Sequence, residues 1–242
     1  MPIPADSVDD RRYNNRAAWR HAIPFIAWIA LMFGLKYVGE PAAWKYAVRA
    51  ATALILLVAC RPWKWYEPLR LRNVPASVIV GIAVCAVWVL PEVKWGDSYP
   101  FVQELYLRFG ILPLGKIPTA APPFIYAPAT CGWPLTLVRL AGSAFVIAVI
   151  EEFFWRGFLY RWVMDRRFLQ VKLSEFDWEA FIIVCAVFGL EHNRWLAGVV
   201  AGAAYALLMI RTRDIWAACL AHVVTNLLLG IYVLATASYV FW

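Results

Sequence analysis

Charge and histidine are both scarce in this chain. Only 16% of its 242 residues are Asp, Glu, Lys or Arg, and three are His, while 63% are hydrophobic and 16% aromatic. That balance excludes an ordinary soluble domain, and it makes each ionisable group inside an apolar run a feature that needs a reason. A disulfide framework is missing as well. The five cysteines, Cys60, Cys85, Cys131, Cys185 and Cys219, are odd in number, widely spaced and mostly inside apolar runs, which gives neither paired bridges nor a zinc-ligand spacing. They read as small core residues. No internal repeat or low-complexity tract occurs. The first twenty residues carry Asp6, Asp9, Asp10, Arg11, Arg12, Arg16 and Arg20 without a small-residue cleavage site after a short apolar core, so a removable signal peptide is not expected.

What is present is a series of long apolar runs. Because roughly 20 apolar residues cross the hydrocarbon core, the runs at 22–38, 43–60, 74–91, 135–162, 180–192, 196–210 and 215–237 predict an all-α, polytopic transmembrane helix bundle. About seven spans are expected, within a range of six to eight. The formal net charge of +7 is sorted by loop: Arg11 to Arg20 precede the first run, Arg61 to Arg72 follow the second, Arg161 to Lys172 follow the fourth, and Arg211 and Arg213 follow the sixth. The excess therefore predicts an inner-membrane orientation with the N-terminus in the cytoplasm, not a nucleic-acid partner. Within the long connection 92–134, Phe101, Leu105 and Phe109 stand at helical spacing and predict a short helix that lies in the interface or caps the bundle. The chain divides into 1–134, an N-terminal segment, three scaffold spans and an external loop, and 135–242, a core of four helices.

The fourth run closes on Glu151-Glu152-Phe153-Phe154-Trp155-Arg156. Glu152 and Arg156, four apart in the Glu-before-Arg order, are placed to pair along one helix face. Glu151 points about 100° around the helix from Glu152 and is free to meet another partner. His192 and His222 fall inside predicted spans, each in a four-residue pattern, Phe188-x-x-x-His192 and His222-x-x-x-Asn226. His21 is juxtamembrane and has no partner pattern. Each motif alone is more often a structural contact than a catalyst, but three helices that each bring polar groups into a bundle point to a working site.

Taken in order on successive spans, the Glu-Glu-x-x-x-Arg, Phe-x-x-x-His and His-x-x-x-Asn patterns resemble the CPBP family of intramembrane proteases, which includes the type II CAAX prenyl endopeptidases and the relatives named after bacteriocin protection and lysostaphin resistance. The length and N-terminal spans also resemble the CAAX-protease-related members of bacterial exosortase systems. The resemblance implies an endopeptidase that cuts a membrane protein or a lipidated peptide in the bilayer. Glu151 and His192 would activate water, His222 and Asn226 would serve the oxyanion, Glu152 would assist Glu151 or orient its neighbours, and Arg156 and Phe188 would give structural support. Glu191, beside the histidine, departs from the small or apolar residue common there and reads as an outward-facing side chain.

No cofactor is expected, because no His-Glu-x-x-His element is present; a zinc held by Glu151, Glu152, His192 and His222 stays open as an alternative ligand set. A proton-coupled transporter and a non-enzymatic membrane scaffold are the alternatives from other classes. Inverted repeats and paired broken helices, which transporters often show, are not apparent. With His222 about 12 Å along the last helix from Asp214, the site is expected in the cytoplasmic half of the membrane, approached from the inner leaflet.

Overall fold

The computed structural model describes residues 8–93, 99–116 and 124–242, and among these every regular element is helical. The helices are α1 (Val8–Gly34), α2 (Ala43–Cys60), α3 (Val74–Val89), α4 (Pro100–Phe109), α5 (Pro128–Met164), α6 (Trp178–Leu190), α7 (Trp195–Thr212) and α8 (Ile215–Thr236). Six of the apolar helices are long enough to cross a membrane, and α6, with 13 residues, is the shorter seventh. A polytopic helical bundle is the result. Residues 94–98 and 117–123 of the long connection lie outside the described residues, but its expected short helix is present as α4. Phe101, Val102, Leu105 and Phe109 expose their side chains on it.

Helix limits follow local chemistry. The Asp177 side chain accepts from the Ala180 amide at 2.8 Å and starts α6, and Asp214 accepts from the Trp216 amide at 3.0 Å and starts α8. α1 begins well before the run that announced it, because its first turns are charged and apolar signal starts only near Ala22. Near its start α5 is kinked at Gly132, where φ is 76°, followed by Pro134.

α8 is the central element, packing on α3, α7 and α5. α3 and α8 approach closely at Gly81, where an added Cβ would lie 2.6 Å from the Ala221 carbonyl oxygen and 2.7 Å from Val224 Cβ. Thr225 Oγ1, on the same face of α8, sits 2.9 Å from the Gly81 carbonyl oxygen. Thus a small residue in α3 lets two backbones meet and brings a second acceptor to a buried hydroxyl that also lies 3.0 Å from the Ala221 carbonyl of its own helix, as small-residue contacts do between membrane helices. His21, which has no partner pattern in the sequence, is buried, with its Nδ1 2.7 Å from the Ala17 carbonyl and its Nε2 2.9 Å from the Tyr66 hydroxyl.

Candidate active site

Both carboxylates come from α5, which is irregular around them. Wide π turns at Gly142–Ile147 and Phe153–Leu159 flank the short α-helical stretch Ala148–Glu152. Such turns recur at functional sites because they change which face a side chain presents and leave carbonyls open to new donors. The Ser143 carbonyl, which takes the Ala148 amide in the first π turn, also accepts from Asn226 Nδ2 at 3.0 Å.

Glu152 is fully buried, and its Oε1 receives two donors. His222 Nδ1 lies at 2.9 Å and Arg156 Nη1 at 3.1 Å. The expected Glu152 and Arg156 ion pair therefore forms, and it reaches further than one helix face. Arg156 Nη2 donates to the Gly202 carbonyl at 3.1 Å, and its guanidinium lies 4.2 Å from the centroid of the Phe188 ring. One buried cation thus ties α5 to α6 and α7. Desolvating two such charges costs several kcal/mol per ion, so the multiple hydrogen bonds are what make the pair tolerable.

The His222 ring stacks on Tyr205 with centroids 4.8 Å apart, and its Nε2 is 3.8 Å from Glu151 Oε2. It stands between two carboxylates. His192 is not inside α6, as expected, but in the turn just beyond it, because the helix ends at Leu190. Its Nδ1 is 2.8 Å from the Phe188 carbonyl. A carbonyl can only accept, so Nδ1 carries the hydrogen and Nε2 keeps its lone pair. Rings of Phe188 and Trp88 hold the imidazole, at centroid distances of 4.9 and 5.4 Å.

Glu151, His192, His222 and Asn226 line one cavity of about 170 Å³, together with Ser143, Phe188 and Tyr205. Glu152 is not on its wall; it sits behind His222. Trp88, Phe241 and Trp242 line the same cavity. Trp88 lies at the end of α3, and Phe241 and Trp242 follow α8, so this part of the wall lies at the end of the bundle opposite the basic segments. Among the described residues, no group of three His, Cys, Asp or Glu side chains is arranged to hold a metal ion.

Sequence reasoning passed over two features and misread a third. Arg139 lines the cavity and lies over Tyr46, 4.3 Å from its ring centroid; as an ionisable residue inside the same apolar run as Glu151, it carried its own signal. Tyr205 gave none beyond its place three residues after Gly202. Glu191 is not outward-facing: it is half-buried, and its carboxyl faces the Trp155 indole and the charge of Glu151.

Residues 133–228 match the family model described as Type II CAAX prenyl endopeptidase Rce1-like. Neither the curated proteins nor the solved structures gave a match to the chain. The matched segment starts within α5 and ends two residues past Asn226, so it holds Glu151, Glu152, Arg156, Phe188, His192, His222 and Asn226 together. Over residues 133–228 the chain thus carries an Rce1-like type II CAAX prenyl endopeptidase domain, consistent with the CPBP family that its motifs resemble.

Proposed function

We propose that the protein is an intramembrane endopeptidase that hydrolyses a peptide bond of a CAAX-type or C-terminally anchored membrane protein with water activated by Glu151 and His192. The observation that carries this reading is the meeting of Glu151, His192, His222 and Asn226, from two helices and a turn, on one cavity, all four within the residues that match the Rce1-like model. Water in that cavity finds an acceptor in His192 Nε2 and a base in Glu151. Glu151 takes a proton from water as the oxygen attacks the carbonyl carbon, and returns it to the leaving amine as the tetrahedral intermediate collapses and the C–N bond breaks. Glu152 Oε1 accepts from His222 Nδ1, so a neutral His222 turns a lone pair and not a hydrogen from Nε2 toward the cavity, and it serves the oxyanion only as an imidazolium held between Glu152 and Glu151. Asn226 has spent one amide hydrogen on Ser143 and has one left for the oxyanion.

Water activation by a carboxylate needs no Lewis acid, and with no His-Glu-x-x-His element in the sequence we take the glutamate-type mechanism over a zinc one. The N-terminal helices then serve as scaffold, with 135–242 as the catalytic unit, the N-terminus in the cytoplasm of a bacterial inner membrane, and the exosortase-associated subgroup as the nearer kin. Purified protein in nanodiscs should cleave fluorogenic peptides ending in a CAAX sequence, prenylated or not, and Glu151→Gln should lower kcat by about 10² to 10⁴. Equal cleavage by wild type and Glu151→Gln would remove Glu151 from the mechanism.

A further inference from the structure

A second, larger cavity of about 450 Å³ lies at the basic end of the bundle, apart from the candidate active site. Its wall is assembled from four separate segments: Tyr13 of α1; Lys64, Trp65, Tyr66, Glu67 and Arg70 of the 61–73 connection; Arg161 of α5; and Arg213, Asp214 and Ile215 at the start of α8, with Leu173 completing it. The four basic segments that the sequence separates are therefore neighbours in space.

The charges on this wall do not cancel. Lys64, Arg70, Arg161 and Arg213 face two carboxylates, Glu67 and Asp214. Asp214 is already committed, since Oδ2 accepts from the Arg70 amide at 3.1 Å and Asn73 Nδ2 at 2.8 Å while Oδ1 caps α8. Arg161 is the informative residue. It is only 5% exposed, yet no carboxylate among the described residues pairs with it. Nε donates to the Val171 carbonyl at 2.9 Å, and Nη1 donates to the Gly157 carbonyl at 3.1 Å and lies 3.4 Å from the Tyr66 hydroxyl. Only neutral dipoles satisfy this buried cation, and its remaining polar edge belongs to a cavity shared with three more cations. Buried arginine without a counter-charge is costly, so an anion in the cavity supplies the missing partner.

The shape indicates which anion. Trp65 Nε1 donates to the Tyr13 hydroxyl at 3.0 Å, making a rim of aromatics of the kind found at headgroup level. Three guanidinium groups and an ammonium in one wall suit the oxygens of a phosphate, and a cavity of about 450 Å³ admits a headgroup and not merely an ion.

We infer that this cavity is a phosphate-binding site, filled by the headgroup of an anionic phospholipid or by a free phosphate. The test uses the full-length protein in detergent and compares phosphatidylglycerol, phosphatidylcholine and inorganic phosphate, read by native mass spectrometry for bound lipid and by thermal midpoint. Lys64, Arg70 and Arg213 have exposed side chains, so a Lys64→Gln, Arg70→Gln, Arg213→Gln variant should fold; a near-wild-type midpoint without added anion checks this. Phosphatidylglycerol adducts and a raised midpoint, both weakened about tenfold or more in the triple variant and absent with phosphatidylcholine, are the expected result. The same protection from inorganic phosphate alone, lost in the triple variant, assigns the site to a soluble phosphate. Failure of both anions to bind, or binding that the triple variant retains in full, would overturn the inference. Arg161→Gln, read alongside, should abolish the anion effect if it folds, and full retention of the effect in that variant would count against the site equally.

Discussion

Glu152 Oε1 is shared by His222 Nδ1 at 2.9 Å and Arg156 Nη1 at 3.1 Å, so one buried carboxylate oxygen joins the arginine of its own helix to the histidine of the last. That sharing links the stability of the bundle to the orientation of a candidate catalytic ring.

Arg156→Ala should accordingly damage both. It leaves Glu152 buried with one donor fewer and frees the Gly202 carbonyl, and breaking a buried pair in this way costs about 3–5 kcal/mol. The expected outcome is a markedly lower thermal midpoint and lost peptide cleavage. A variant that is made, melts like the wild type and cleaves fully would contradict the role of this pair.

Gly81→Ala tests the contact of α3 with α8. The added Cβ would meet the Ala221 carbonyl and Val224, both fixed in a helix, so the helices must separate. Overpacking of this kind costs about 1–3 kcal/mol, and the thermal midpoint should fall. An unchanged midpoint would mean that the approach is not tight.

Chelation separates the two ways of activating water. Exhaustively chelated protein should keep its activity and contain much less than one zinc per chain by elemental analysis. One zinc per chain, with activity lost on chelation and restored by zinc, would instead make Glu151, His192 and His222 ligands.

Orientation is testable by labelling. With the native cysteines replaced, Cys introduced at Arg166 and at Gly115 should react from opposite sides of the membrane, Arg166→Cys from the cytoplasm, as the basic loops require. Reaction of Gly115→Cys from the cytoplasm would invert the proposed topology.

The sequence displayed the bundle because apolar runs of membrane length leave few alternatives, and it displayed Glu151, Glu152, His192, His222 and Asn226 because polar side chains are conspicuous in such runs. Spacing alone could not show which of them share a wall. Glu152 lies behind His222, and His192 lies past its helix, because the π turns of α5 and the early end of α6 change the register that a regular helix would have. The Asn226 contact was also hidden, since its acceptor is a backbone carbonyl, which has no sequence signature. Arg161 reads as one more basic loop residue until the fold buries it among carbonyls.

The most direct measurement is a comparison of membrane proteomes, with N- and C-terminal peptides identified, between cells carrying the wild-type chain and cells carrying Glu151→Gln at equal abundance. The account predicts that at least one membrane protein accumulates uncut in the Glu151→Gln cells and that its cleaved terminus is found only with the wild type. Indistinguishable termini in the two strains, with the variant folded and present, would contradict it.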